Sequence, residues 1–160
     1  MFGNVSRALK QKRRFATREQ EVVLGIRLLA NRILEPWDKF LKSHGDLSTS
    51  QYNILRILRG SHPARLASSD IGSRMVSRDP DVTRLVDRLV RRGLVDRQRS
   101  ESDRRVVEVG ITKAGLAFLK TLDPHVDRLP TALVGGLGQP KLKQLAALLD
   151  ELIEKFGTYP

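Results

Sequence analysis

Between Val82 and Ile111 the apolar residues of this chain change their period, and few folds accommodate such a change in so short a stretch. Val82, Leu85, Val86, Leu89 and Val90 fall at i, i+3, i+4, i+7 and i+8, the stripe of a helix buried along one side. Gly93 closes the stripe. Beyond it the period drops to two: Leu94 to Arg99 and Arg105 to Ile111 flank the polar turn Ser100-Glu101-Ser102-Asp103, with Val107, Val109 and Ile111 on one face. The spacing predicts a helix that runs straight into a β-hairpin. Asp79-Pro80 marks the start of that helix, with Asp as N-cap and proline at the first helical position.

Helical spacing dominates on either side. Thr17 and Gln20 form a capping-box pair ahead of Val22, Val23, Ile26, Leu29, Ile33, Trp37, Phe40 and Leu41. This predicts a long first helix, kinked at Pro36 and ended by Gly45. Ser48 and Gln51 repeat the box for a second helix, which carries Tyr52, Leu55 and Leu58 and stops at Gly60. A short third helix turns Ile71 and Met75 inward and takes Ser68 or Ser69 as its cap. After the hairpin, Thr112 caps a fifth helix with Leu116, Leu119, Leu122 and Val126. A break over 133–140 precedes a sixth helix with Leu142, Leu145, Leu149, Leu152 and Phe156. The expected fold class is mainly α with a small β-hairpin (α+β). Three short helices and then a two-stranded hairpin is the layout of a winged helix-turn-helix, whose third helix enters the major groove of DNA.

Charge points the same way. The 29 Lys and Arg exceed the 18 Asp and Glu, a net charge of +11 that favours a polyanionic partner. At 160 residues the chain can bury one ordinary core. It has no cysteine, which excludes disulfides, thiolate zinc sites, iron–sulfur clusters and a cysteine nucleophile. His44, His62 and His125 are the candidate nitrogen ligands, and without identifiable partners they lead us to expect neither metal nor cofactor. The longest stretch without Asp, Glu, Lys or Arg, Leu129 to Pro140, is far shorter than the about 20 apolar residues of a membrane-spanning helix. Arg7, Lys10, Lys12, Arg13, Arg14 and Arg18 ahead of an apolar run imitate a signal peptide. Arg27 interrupts that run and no small-residue cleavage site follows, so the expected location is the cytoplasm. The arm itself reads either as a disordered tail or as a contact to phosphates.

At about 100° per residue, the side of the fourth helix opposite its stripe presents Pro80, Thr83, Arg84, Asp87, Arg88 and Arg91. Arginine forks onto guanine O6 and N7, and threonine donates to a base or packs its methyl on thymine, so Thr83 and Arg84 suit base reading. Arg88 and Arg91, further along, suit phosphates. The competing reading is an ordinary solvated charge face. The hairpin tip adds Asp103-Arg104-Arg105, and arginine there can enter a narrow minor groove. Ser69, at the start of the third helix, completes the expected DNA-contacting set.

The stretch from Asp81 to Gly115 resembles the MarR family of bacterial transcription regulators. The matching residues are Val82-Thr83-Arg84-Leu85-Val86-Asp87-Arg88-Leu89, Arg92-Gly93-Leu94-Val95, Asp103-Arg104-Arg105 and Ile111-Thr112-Lys113-Ala114-Gly115. The resemblance implies a homodimer in which the first, fifth and sixth helices of two subunits interlock, with Arg105 inserted at the minor groove and Asp103 orienting the wing. It also implies a small-molecule effector held between the dimer helices and the lobes. The sequence agrees on the dimer: Leu142, Leu145, Leu149, Leu152, Ile153 and Phe156 give the last helix an apolar surface that one subunit cannot easily cover. The expected division is a basic, flexible arm over 1–16, dimerisation helices over 17–45 and 113–160, and a DNA-binding domain over 46–112. Gly135-Gly136-Leu137-Gly138-Gln139-Pro140-Lys141 lacks the glycine before lysine and the preceding strand of a phosphate-binding loop, and reads as a linker. Two functions stay open: a sequence-specific repressor working as a dimer on a pseudo-palindromic operator, or a basic module that binds nucleic acid without specificity. No enzyme is expected.

Overall fold

The computed structural model describes residues 3–77, 81–100 and 103–156. The helix-to-hairpin switch is its centre. Helix α5 (Val82–Arg91) buries Val86 and Leu89 completely, and strand β2 (Val95–Arg99) follows at once, pairing antiparallel with β3 (Val107–Ile111). Gly93 makes this possible with a left-handed backbone, φ 67°, that turns the chain out of α5. In β3, Val109 and Ile111 face the core, while Val107 at the outer end is 45% exposed, because the strand has by then left the helices behind.

A third strand joins this pair. β1 (Leu66–Ala67) sits on the other edge of β3, with Leu66 opposite Val109, so the sheet order is β1-β3-β2. Two residues are too few to show a period, which is why only a hairpin is legible in the sequence. β1 also corrects the expected cap of the third helix. In α4 (Ser68–Arg74) the N-cap position falls on Ala67, without a side-chain hydrogen bond, and Ser68 and Ser69 already lie inside the first turn. Extended pairing with β3 holds the backbone up to Ala67, so the helix can begin only after it. The expected cap Asp79 and Pro80 lie outside the described residues, and the cap present on α5 is Asp81, whose carboxylate accepts from the Arg84 N–H at 3.0 Å.

Long helix α2 (Arg18–Gly45) starts as expected, with Thr17 Oγ1 accepting from the Gln20 N–H, and it runs through Pro36. Its left-handed terminal residue is Asp46, φ 46°, and not Gly45. Gly45 instead lies against Phe118: a Cβ there would stand 2.6 Å from the tip of the ring, which would have to shift. Helix α3 (Thr49–Ser61) has the complete Ser48–Gln51 capping box and buries Tyr52, Ile54, Leu55 and Leu58. Thr112 caps α6 (Lys113–Val126) through the Gly115 N–H at 3.0 Å and donates to the Gly93 carbonyl at 2.7 Å. Gly115 itself touches the Leu94 carbonyl so closely that a Cβ would come within 2.1 Å of it. The end of β3 and the end of α5 are therefore fastened together.

Three short elements have no clear sequence pattern. Residues 1–16, read as a flexible basic arm, include the five-residue α1 (Asn4–Ala8), with Ser6 buried and Val5 near Gly25 of α2. Helix α7 (Arg128–Val134) and a 3-10 turn (Gly135–Leu137) occupy much of the region read as a break before α8 (Gln139–Phe156). Helix α8 buries no residue; Leu145, Leu149, Ile153 and Phe156 are 41%, 40%, 67% and 72% exposed, and Leu142 and Leu152 are half-buried. Leu148, absent from the expected set, is 52% exposed on the same helix, and Val22, Val23, Ile26, Leu29 and Leu34 are exposed along α2. No helix among the described residues is long and apolar enough to cross a membrane.

Candidate nucleic-acid interface

Helix α5 can present its polar face because its apolar one is spoken for. Val86 and Leu89 lie in the core with Val82, Leu85 and Val90 packed against it, so Thr83, Arg84, Arg88 and Arg91 are left exposed on the opposite side. Asp81 at the N-cap fixes where the helix starts, and so which residues sit in its first turn. Ser69, exposed in the first turn of α4, belongs to the helix that precedes α5. Asn53 of α3 supports the segment between the two, its Oδ1 accepting from the Val76 N–H at 2.9 Å.

The wing is shaped by one acid. Asp103 Oδ1 accepts from the Arg105 N–H, and the Asp103 carbonyl accepts from the Val106 N–H, both at 2.9 Å. These bonds fold the turn that carries Arg104 and Arg105, both exposed, ahead of β3. Glu101 and Ser102 of the same turn lie outside the described residues. At the base of the sheet, Arg65 reaches Asp96 of β2 at 2.7 Å across Gly110 of β3, where a Cβ would meet the guanidinium at 3.0 Å. This pair ties the loop before β1 to the wing.

Three arginines outside the expected set tie elements of the molecule to one another. Arg97 of β2 pairs with Asp87 at 2.5 Å, so Asp87 is engaged from within the chain. Arg92 donates to the Gly45 and Asp46 carbonyls at 2.7 and 3.0 Å and lies over the Phe118 ring, joining the end of α5 to α2 and α6. A cation at the free carbonyls of a helix C-terminus is favoured by its dipole. Arg59 of α3 reaches both oxygens of Asp123 in α6 at 2.9 Å. None of these partners is close in sequence, and nothing short of the fold marks them. Arg88 and Arg91 line, together with Arg92, Lys42, Ser48 and Gln51, an open cleft of about 500 Å³ where α2 ends and α3 begins. No group of three or more metal-ligating side chains occurs among the described residues.

The arrangement can accept a polyanion along α5 and the wing, and its likeness to known proteins is specific. The MarR family model matches residues 47–107. The transcriptional repressor MprA of Escherichia coli is 24% identical over 127 residues, 79% of this chain and 72% of its own length. A crystal structure of a MarR transcription factor from Planctomyces limnophilus is 39% identical, covering 86% of this chain and 98% of that one with a TM-score of 0.66. The fold is also that of Sco3205 from Streptomyces coelicolor, a MarR family regulator solved in complex with DNA, at 20% identity, 94% coverage of both chains and a TM-score of 0.78.

Proposed function

The chain belongs to the MarR family of transcriptional regulators, and on that premise we propose that it works as a homodimeric, sequence-specific repressor on double-stranded DNA. As a member of that family it is a regulator and not an enzyme. The observation that carries the reading is a single unit in which a cationic α5 face and a basic wing tip are fastened together through Gly93, Thr112 and Gly115. In this reading residues 46–112 bind DNA in the cytoplasm, with Thr83 and Arg84 at base edges, Arg88, Arg91, Arg104 and Ser69 at phosphates, and Arg105 at the minor groove beside Asp103. The helices over 17–45 and 113–160 form the dimer, joined through Leu142, Leu145, Leu149, Leu152, Ile153 and Phe156. Two-fold symmetry then calls for a pseudo-palindromic operator with half-sites about one helical turn apart. The repressor sense is supported by MprA, which is named a repressor.

Release by a small molecule belongs to the same reading. The open cleft where α2, α3 and α5 meet is lined by Lys42, Arg88 and Arg91, and an anionic effector there would compete with DNA phosphates for the two arginines. The test is a titration of the protein against duplexes that it selects from a randomised pool, compared with the same duplexes shuffled. A specific regulator binds the selected DNA about a thousandfold or more tighter. Equal affinity for both would replace this reading with that of a non-specific nucleic-acid-binding module.

A further inference from the structure

Asp87 is the one acid on α5, set among Arg84, Arg88 and Arg91 on the face that the reading above turns toward phosphates. An uncovered carboxylate there would repel the DNA backbone. The ion pair that neutralises it comes from a different element, with both partners still partly exposed: Arg97 Nη1 lies 2.5 Å from Asp87 Oδ1, although two arginines of α5 sit at i−3 and i+4. The same guanidinium donates through Nη2 to the Thr83 carbonyl at 3.3 Å. Thr83 and Asp87 are four residues apart, so one side chain clips one turn of the helix. The backbone of Arg97 is fixed by pairing across the sheet with Val109, which has no exposed surface.

Resting on the reading that α5 faces DNA, we propose that Arg97 is a positioning residue that masks the charge of Asp87 and locks the first turns of α5 to the wing strand. It does not grip DNA. Its two outer nitrogens are occupied within the protein, and its worth to binding lies in neutralising Asp87 and fixing the angle between recognition helix and wing.

The test measures binding of a fluorescent duplex, selected from a randomised pool by the wild-type protein, to Arg97→Ala, Asp87→Asn, the double variant and Arg84→Ala over a range of salt. Thermal unfolding of each variant is followed alongside. Like charges brought together across an interface are costly, so Arg97→Ala is expected to weaken binding about tenfold or more. Asp87→Asn is expected to bind as tightly as wild type or tighter. The double variant should return to within about threefold of Asp87→Asn, because the two residues act as one coupled pair. A double variant as weak as Arg97→Ala, with a salt slope lowered by about 0.9, would make Arg97 a direct phosphate ligand and overturn the proposal. A tenfold loss in Asp87→Asn alone overturns it too, even if Arg97→Ala does not fold, since Asp87 would then touch DNA itself. Arg84→Ala separates the two readings. If it weakens binding while Arg97→Ala does not, only the masking role falls; if it too binds like wild type, the placement of α5 on DNA falls with it.

Discussion

Leucine and its relatives meet opposite fates in the two halves of this molecule. In the lobe from α3 to β3, Ile54, Leu55, Ile71, Val86, Leu89 and Val109 have no exposed surface at all. On α8, Leu145, Leu149, Ile153 and Phe156 keep between 40% and 72% of theirs. Both α5 and α8 carry their apolar residues at helical spacing, so periodicity alone does not separate them. The difference is whether the chain supplies its own cover. The lobe surrounds α5 with α3, α4 and the sheet, whereas α8 buries none of its residues.

The sharpest way to break that comparison is to charge the open face. Leu149→Glu combined with Ile153→Glu is expected to give an 18.0 kDa monomer by sedimentation at micromolar concentration, and to lower affinity for the selected duplex toward its level on random DNA, about a thousandfold or more. A dimer that survives both substitutions removes α8 from the interface. Next in size is a truncation inside the lobe: Leu89→Ala should cost about 2–5 kcal/mol in denaturant unfolding, because a fully buried side chain leaves a cavity. Leu149→Ala, measured at dilutions where subunits are separate, should stay within about 0.5 kcal/mol, as for an exposed site. Equal losses at the two leucines would mean that α8 is covered within one chain.

Smaller effects are expected at the polar edges. Arg105→Ala on the exposed wing tip should weaken operator binding by about 1.5–3 kcal/mol, the range of a hydrogen bond to a charged group. Selection with this variant should also relax any preference for narrow, A·T-rich flanks. An unchanged flank preference would reassign Arg105 to the phosphates. Deleting residues 1–16 removes Arg7, Lys10, Lys12, Arg13 and Arg14, and the salt slope should fall by about 0.9 for each phosphate that is no longer neutralised, alike on all sequences. A slope that does not move leaves the arm as a structural extension of α2, through Val5 and Gly25.

Much of the fold could be read from the chain because its signals are local. Thr17, Ser48 and Thr112 cap the helices they were expected to cap, and the stripe on α5 and the alternation after Gly93 each span enough residues to show a period. Asp79 and Asp81 both stand before the stripe, and capping depends on which carboxylate meets the free N–H groups, a matter of backbone path. β1 is not legible because two residues have no pattern and pair only with a strand far away in sequence. α1 and α7 are short helices with mixed composition, and α1 lies against α2.

The order of the elements, the direction each apolar face must point and the basic character of the surface follow from spacing, caps and charge along a single stretch of chain. Tertiary structure alone decided what each arginine does. Arg84, Arg88, Arg92 and Arg97 are chemically identical, yet Arg92 closes the end of α2 over Phe118 and Arg97 covers Asp87, while Arg84 and Arg88 remain exposed. A guanidinium reaches whichever carbonyl or carboxylate folding brings within about 3 Å, and that neighbour is set by packing between elements, not by spacing along them.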